Sequence, residues 1–376
     1  MATNVRSHTL HLPEFTFDSG ETLPNIQLAY ETYGSLNADK SNAILLFHAL
    51  TGSHHAHGHN DSLPEAGDFW QPENHEGWWD RMIGPGKPLD TERYFIVCIN
   101  YLGSCYGSSG PASTAPDGEP WGSRFPMVNA NDQAKAQLAV MDHLSIDRFA
   151  IVGPSLGGML ALTLTAHHPE RVRSVVVIGV GYQPTINHKL EVFEQILAIE
   201  LDPAYKEGRY ALSAPPVKGL ALARIISHKC FVNKRGLEKR ARKGICDRKG
   251  MLTWYSPARN TESYMLHQGT KFAKRYDANS YIRIVNMWAG FDLAAFTGHK
   301  SVDSVFRIYA EHQIPFMLFA INTDFCFTAR EISAFHRKLV KNGVEAQYKC
   351  IRSVKGHDSF LLEPELYEAD LKRYLG

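Results

Sequence analysis

The chain has 376 residues, and its 40 Lys and Arg against 39 Asp and Glu give a formal net charge of +1 at pH 7. This length suits one large domain with an insertion, or two domains. The balanced charge argues against a nucleic-acid or membrane-surface partner, and no apolar stretch approaches the roughly 18 residues of a membrane span. The first residues lack a secretory signal, and the six cysteines lack C-x-x-C spacing. We therefore expect a soluble, cytoplasmic protein.

Short apolar runs alternate with helical patterns along much of the chain. Runs rich in Ile, Val, Leu and Phe predict strands at 43–47, 95–99, 149–152, 174–179, 315–321 and 346–351. Their continuous apolar character favours burial on both faces, as in a parallel sheet covered by helices. Helices are predicted at 131–144, after Ser155 to about 167, and at 329–339. This rhythm predicts a doubly wound α/β architecture.

The alternation fails between about residues 183 and 302, where the pattern is mostly helical and no buried strand is convincing. Because strands resume at 315 and 346, we interpret this segment as a helical cap inserted into one α/β domain. A separate C-terminal domain is the alternative. The predicted division is a core of residues 1–182 and 303–376, with a cap of residues 183–302.

Residues 153–157 read Gly-Pro-Ser-Leu-Gly between a predicted strand and a predicted helix. Glycine has no Cβ, so strand and helix can approach closely around a serine at the tip of a tight turn. The N-terminus of the helix favours negative charge beside that serine. In this setting G-x-S-x-G predicts that Ser155 is a nucleophile, whereas the pentapeptide alone also suits an ordinary glycine-rich turn.

A serine hydroxyl needs a base to take its proton and a third group to orient that base. Asp324 follows the strand predicted at 315–321, and His357 follows the strand predicted at 346–351. The carboxyl ends of parallel strands meet at one edge of a sheet, where Ser155 is also expected. The sequence therefore predicts a Ser-His-Asp triad. The alternatives are a turn or helix-cap role for Asp324 and a surface position for His357.

The loop after the first predicted parallel strand reads His-Ala-Leu-Thr-Gly at residues 48–52. Such a loop can supply a backbone N–H that pairs with the N–H of the residue after the nucleophile. Leu50 and Leu156 are therefore the predicted donors of an oxyanion hole. Ala49 or Thr51 could replace Leu50, since the assignment is uncertain by one residue.

Two further motifs have competing interpretations. His54, His55, His57 and His59 are clustered as in some metal sites, but no H-E-x-x-H or carboxylate spacing accompanies them. We expect no metal, and a loop that lines the mouth of the active site. The basic run at 234–243 in the predicted cap is typical of a solvated helix face, and contact with coenzyme phosphates is the alternative. Interleaved aromatics that would indicate nucleic-acid binding are missing.

The chain resembles the homoserine O-acyltransferases of the α/β-hydrolase fold, which make the activated homoserine ester for methionine synthesis. The matching segments occur in the family's order at 28–34, 48–52, 77–88, 100–111, 153–158, 262–281 and 356–362. The resemblance implies a mostly parallel sheet flanked by helices, with an inserted helical cap. It also implies a homodimer that uses acyl-CoA as co-substrate and holds no permanently bound cofactor.

The resemblance places the family's triad and oxyanion donors on the same five residues predicted above. It further implies that Arg224 of the cap binds the carboxylate of homoserine and that Asp358 binds its ammonium group. This assignment is chemically sound, because a guanidinium binds a carboxylate with two hydrogen bonds and a carboxylate can hold an ammonium.

The chain departs from the family around the substrate pockets. Ser104 replaces the second glycine before Cys105, and Lys-Cys-Phe at 229–231 replaces Ile-Thr-Tyr. Cys-Phe-Thr at 326–328 replaces Leu-Phe-Pro, and the segment 59–77 is longer than expected. These changes leave the triad intact and the substrate pair open.

The implied activity is transfer of an acetyl group from acetyl-CoA to the hydroxyl of L-homoserine through an acyl-enzyme on Ser155. The open alternatives are succinyl-CoA as donor, serine or another alcohol as acceptor, and ester hydrolysis by the same triad. A succinyl group would need a cation or hydrogen-bond donors near its distal carboxylate, and the sequence assigns none. A non-catalytic binding protein of this fold is disfavoured, because every triad member is present.

Overall fold

A central eight-stranded sheet organises the computed structural model, which describes residues 5–241 and 251–376. The strands are β1 (His8–Thr16), β2 (Thr22–Tyr33), β3 (Ala43–Leu46), β4 (Phe95–Ile99), β5 (Phe149–Pro154), β6 (Val172–Ile178), β7 (Phe316–Ile321) and β8 (Ala346–Ile351). The α-helices are α1 (Ala130–His143), α2 (Leu156–His167), α3 (Ile186–Glu200), α4 (Val217–Phe231), α5 (Lys234–Ala241), α6 (Asn260–Lys274), α7 (Ala278–Ala289), α8 (Leu293–Phe296), α9 (Val302–Glu311), α10 (Ala329–Lys341), α11 (Ser359–Leu362) and α12 (Glu368–Leu375).

The strand order is β1-β2-β4-β3-β5-β6-β7-β8. The pairs β1–β2 and β2–β4 are antiparallel, and all other neighbours are parallel. Every residue of β3, β5 and β7 is buried, as expected for parallel strands covered by helices on both faces. Since β3, β5, β7 and β8 run in one direction, the loops at their carboxyl ends meet at one edge. The α/β fold with a mostly parallel sheet is therefore confirmed.

The six predicted strands correspond to β3–β8, with bounds that agree within two residues. The predicted helices correspond to α1, α2 and α10. The antiparallel strands β1 and β2 were not predicted. Most side chains of β1 are at least partly exposed at the sheet edge, so this strand lacks the continuous apolar run that identifies a buried parallel strand.

Between β6 and β7 the described residues form only helices as regular elements, over 183–241 and 251–302. Helix α4 packs between α3 and α6, and α8 and α9 lie against α2 beside the sheet. The buried guanidinium of Arg283 on α7 donates to the carbonyls of Ser123 (2.9 Å) and Phe125 (2.6 Å). These bonds connect the helical segment to a loop of the sheet. In the described part of the chain, no helix is long and apolar enough to cross a membrane.

Candidate functional site

Ser155 stands on a tight turn between β5 and α2, with φ 53° and ψ −128°. A non-glycine residue rarely adopts positive φ, so this backbone is strained and is held by its surroundings. A Cβ on Gly153 would lie 2.5 Å from the carbonyl oxygen of Gly157, and a Cβ on Gly157 would lie 2.8 Å from that of His48. Both glycines are therefore required by close backbone approach. The turn presents the hydroxyl at the carboxyl edge of the sheet.

His357 and Asp324 lie next to Ser155, in the loops after β8 and β7. The Ser155 hydroxyl lies 2.9 Å from Nε2 of His357, and Nδ1 of His357 lies 2.7 Å from Oδ2 of Asp324. The other carboxylate oxygen of Asp324 accepts the backbone N–H groups of Cys326 (2.7 Å) and Phe327 (3.0 Å). All three side chains are buried. This arrangement can remove a proton from Ser155 and hold the imidazole in one orientation.

The surroundings of His357 push its pKa in opposite directions. Burial disfavours the charged imidazolium, and the rings of Phe231, Phe327 and Phe360 lie 5.4–6.1 Å from the imidazole. The charge and hydrogen bond of Asp324 outweigh burial, so the pKa of His357 is raised above its usual value. The imidazolium that forms after proton transfer is thereby stabilised.

The two predicted oxyanion donors lie on adjacent segments. Leu156 is the first residue of α2, where N–H groups have no acceptor within the helix. Leu50 lies in the loop after β3, and the carbonyl of His48 in that loop lies against the start of α2 at Gly157. Within residues 5–241 and 251–376, neither the N–H of Leu50 nor that of Leu156 donates a hydrogen bond. Both groups are therefore available to a ligand.

Two residues that position the loop after β3 were not identified from the sequence. The imidazole of His48 is buried, Nδ1 contacts the carbonyl of Ala49 (2.8 Å), and Nε2 accepts the N–H of Tyr101 (3.3 Å). Burial lowers the pKa of His48 to about 3, so the ring is neutral. The Tyr101 hydroxyl donates to the carbonyl of His48, and its ring stacks on the imidazole. The only sequence signal was the position of Tyr101 just after a strand.

Arg224 and Asp358 flank the same region. The guanidinium of Arg224 lies over the rings of Phe231 (5.4 Å) and Phe272 (4.9 Å), and Phe231 in turn stacks on His357. In the described chain no carboxylate lies within 4.0 Å of this guanidinium. Burial and the nearby charge of Arg275 lower its pKa. Asp358 directly follows His357, and its charge acts on both Arg224 and His357, so a cation and an anion lie beside the triad.

The four clustered histidines have separate partners. His55 and His54 are buried, His55 pairs with Glu31 of β2 (2.8 Å), and the His54 imidazole bonds to the Ser7 hydroxyl (3.0 Å). These two rings therefore serve as buried partners of Glu31 and Ser7. His57 and His59 pair separately with Asp80 (2.6 Å) and Glu76 (2.7 Å), and the described residues contain no group of three metal-binding side chains.

The segment 59–77 connects α6 to the loops of the sheet through Glu73. The Glu73 carboxylate pairs with Lys271 (2.7 Å) and Arg275 (2.9 Å). Arg275 also donates to the hydroxyl of Tyr106 (2.8 Å) and to the carbonyl of Thr51 (3.4 Å). The longer segment thus fixes the end of α6 next to the loop that carries Leu50.

A cavity of about 610 Å³ lies between the segment 64–71 and the residues that begin α4 and end α6. Phe69, Cys105, Val217 and Lys274 are among its lining residues, and no triad residue contributes to it. The position of this cavity therefore does not identify the catalytic residues. The candidate site is identified instead by the hydrogen bonds among Ser155, His357 and Asp324.

Comparison with known proteins gives a consistent family. Residues 42–364 match a family model described as alpha/beta hydrolase fold. The chain is 37% identical over 364 residues to a homoserine O-succinyltransferase of Acidithiobacillus ferrooxidans, covering 96% of this chain and 91% of that protein. It is 38% identical over 377 residues to a homoserine O-acetyltransferase of Methanosphaerula palustris, covering 99% and 73%. The crystal structure of homoserine O-acetyltransferase from Bacillus anthracis superposes with a TM-score of 0.86 at 27% identity, over 100% of this chain and 98% of that one.

Proposed function

The chain belongs to the homoserine O-acyltransferases of the α/β-hydrolase fold, and from this premise we propose that it carries an acetyl group from acetyl-CoA to the hydroxyl of L-homoserine in methionine biosynthesis. The observation that carries the proposal is the continuous set of hydrogen bonds from Ser155 through His357 to Asp324. The proposed nucleophile, base and orienting carboxylate are Ser155, His357 and Asp324.

The first half-reaction loads Ser155. His357 Nε2 takes the hydroxyl proton while Oγ of Ser155 forms a bond to the thioester carbon of acetyl-CoA. The resulting oxyanion is bound by the N–H groups of Leu50 and Leu156, each worth on the order of 3 kcal/mol in the transition state. The carbon–sulfur bond then breaks, and coenzyme A leaves with the proton from His357. Ser155 is left as an acetyl ester.

The second half-reaction transfers the acetyl group from Ser155 to homoserine. Homoserine binds with its carboxylate on Arg224 and its ammonium group on Asp358, which directs its hydroxyl toward the ester. His357 takes the hydroxyl proton, the oxygen attacks the ester carbon, and the same N–H groups bind the second oxyanion. Collapse releases O-acetylhomoserine, and the proton returns from His357 to Ser155.

The choice of acetyl over succinyl rests on charge. The relatives described above include both activities at similar identity, so identity does not separate them. Next to Phe231, the thiol of Cys230 donates to the carboxylate of Glu191 (2.8 Å). The charge of Glu191 also acts on Cys326, whose N–H donates to the carboxylate of the triad. A carboxylate at this place disfavours the second negative charge of a succinyl group, and the proposed ligand of Arg224 is the homoserine carboxylate. Succinyl-CoA is therefore the alternative donor.

Mass spectrometry of the quenched protein tests the nucleophile and the donor together. After mixing with acetyl-CoA, the wild-type protein should gain one acetyl group, and Ser155→Ala should gain none and lose at least about four orders of magnitude in kcat. Ser333→Ala, which removes a half-buried hydroxyl on α10 that accepts a hydrogen bond from Arg337 (2.8 Å), is the matched control. Full turnover by Ser155→Ala would disprove the nucleophile. A mass gain with succinyl-CoA and none with acetyl-CoA would show that succinyl-CoA is the donor.

The acceptor is tested by the release of coenzyme A. Release that depends on homoserine supports the proposed transfer. Release that depends only on serine would show that serine is the acceptor. Release that needs neither homoserine nor serine would identify a hydrolase. An esterase requires water to reach the acyl-enzyme, whereas a transferase excludes it.

We also propose that the protein is a homodimer. Helix α3 and the residue that caps its C-terminus expose apolar side chains at regular helical spacing: Ile186, Leu190, Phe193, Leu197 and the cap Leu201. Exposed apolar stripes of this kind are typical of protein interfaces. A second copy of the chain that presents the same stripe would bury both.

The proposed reaction suggests where the protein works. Acetyl-CoA and homoserine are metabolites of the cytoplasm, and we propose that location. Five described cysteines are free thiols, which suits a reducing compartment.

A further inference from the structure

A basic surface lies beside the loops that carry Asp324 and His357. The ring of Phe231 stacks on His357 with centroids 5.9 Å apart, and α5 begins three residues later. The N–H of Asn233 donates to the carbonyl of Lys355 (3.4 Å). A Cβ on Gly236 would lie 3.2 Å from the carbonyl of Val354. Helix α5 is therefore packed against the loop after β8, next to the triad.

Three cations of α5 have no ion-pair partner among the described residues, and the exposed Glu238 on the same helix does not pair with them within 4.0 Å. Lys234, Arg235 and Lys239 are exposed, and in the described chain no carboxylate lies within 4.0 Å of their charged groups. Arg235 and Lys239 are four residues apart and share one face of the helix. The side chain of Arg240 and residues 242–250, which include Arg242 and Lys243, lie outside the described part. Three exposed cations thus face solvent beside the active-site loops.

An exposed aromatic ring adjoins these cations. Phe325 directly follows Asp324, yet its side chain is 54% exposed. The ammonium group of Lys234 lies 5.7 Å from the centroid of this ring. Val354, in the loop that contacts α5, is also exposed. Exposed aromatic rings next to cations are typical of surfaces that stack a base and bind phosphates.

We propose that this rim surface, formed by Lys234, Arg235, Lys239 and Phe325, binds the adenosine 3′-phosphate and diphosphate end of the acyl-CoA donor. The inference rests on the proposed function, which places the thioester at Ser155. The long pantetheine arm separates the thioester from the phosphates, so the phosphates bind outside the buried triad. The cations hold the phosphates, and Phe325 stacks on the adenine.

The test compares two donors that differ only in the proposed ligand. Acetyl-CoA carries the phosphates and the adenine, and S-acetylpantetheine carries neither. In the variant K234Q/R235Q/K239Q we expect the KM for acetyl-CoA to rise about tenfold or more, because three charge-assisted contacts are lost. The KM for S-acetylpantetheine should be the same in variant and wild type. Phe325→Ala should also raise the KM for acetyl-CoA selectively.

The variant R307Q/R337Q/K341Q removes three exposed cations from α9 and α10 and is the matched control, for which we expect neither KM to change. An unchanged KM for acetyl-CoA in K234Q/R235Q/K239Q, or an equal rise for both donors, would overturn the inference. Calorimetry of coenzyme A binding to the wild type and to K234Q/R235Q/K239Q distinguishes failure of this inference from failure of the proposed function. A wild-type protein that binds coenzyme A through these residues without transferring acetyl groups would refute only the reaction.

Discussion

At the scale of single residues, the protonation of His357 determines when Ser155 can be activated. The imidazole must be neutral to take a proton, so the reaction requires a pH above the pKa of His357. Asp324 raises that pKa although burial opposes it. The same carboxylate that orients the base therefore also shifts its working range to higher pH.

We expect kcat/KM for acetyl transfer to rise with pH, with a midpoint above the ordinary histidine pKa of about 6.5. In Asp324→Asn the carboxylate charge is gone while burial remains, so the midpoint should move to lower pH. The kcat should fall by about 10⁴, because the amide no longer holds the correct tautomer. The pH profiles of both proteins measure this. Asp303→Asn, at a distant helix, should keep the wild-type midpoint, and an unshifted midpoint in Asp324→Asn would contradict the argument.

The triad could be predicted from the sequence because each member follows a recognisable apolar strand. Ser155, Asp324 and His357 lie beside one another in the structure as those positions require. The partners of His48 and His55 could not be predicted in this way. Tyr101 is distant in sequence from His48, and Glu31 is distant from His55. Only the pairing of the strands brings each partner close to its histidine.

At the scale of elements, β2 holds a buried ionic network that supports the segment after β3. Glu31 accepts hydrogen bonds from His55 (2.8 Å) and Ser7 (2.7 Å), and the Tyr33 hydroxyl also donates to it (2.7 Å). Burial alone would raise the pKa of Glu31, but the hydrogen bond and charges of the histidines lower it to about 2. The pKa of His55 is raised by the same pair, against burial.

These shifts predict a pH optimum of stability. Glu31 stabilises the fold above its unfolded pKa of about 4.5, and this contribution, on the order of 3 kcal/mol, is lost as pH falls toward 2. His55 stabilises the fold below about 6.5, and its contribution is lost as pH rises through the raised pKa. Glu31→Gln should therefore lower the free energy of unfolding by about 3 kcal/mol at pH 6 and flatten its acid dependence.

Denaturant unfolding from pH 2 to pH 8 measures this effect, because the Glu31 contribution is lost between about pH 4.5 and pH 2. Glu76→Gln breaks the exposed pair with His59 and is the matched control, since pairs in solvent contribute little. Equal losses in the two variants would show that burial of Glu31 does not matter.

Sequence patterns located the parallel strands but not β1 or β2, although β2 carries Glu31. Parallel strands covered on both faces have continuous apolar sequences, whereas β1 is exposed along most of its length. The helical segment between β6 and β7 was predicted, but periodicity alone does not tell which face of α3 remains uncovered.

At the scale of the whole molecule, the sheet and the helical segment are joined around the site. Glu73 holds α6 near the loop with Leu50, and Arg283 holds α7 on the loop at 123–126. Phe231 and Arg224 come from the helical segment, whereas Ser155, Asp324 and His357 come from the sheet. The proposed reaction therefore depends on both parts, and the exposed stripe of α3 offers a means to hold the helical segment rigid through a second copy.

The dimer proposal is tested by introducing a charged side chain into the exposed apolar stripe of α3. Phe193 is 62% exposed, and a two-fold contact would bury it in both copies. Phe193→Glu should weaken the dimer by more than about 100-fold, because two apolar side chains are lost and two charges are buried. Light scattering over a concentration series should give a dimer for the wild type and a monomer for the variant. Glu194→Gln, at the next exposed position of α3, should remain a dimer, and a wild-type protein that is monomeric throughout would refute the interface.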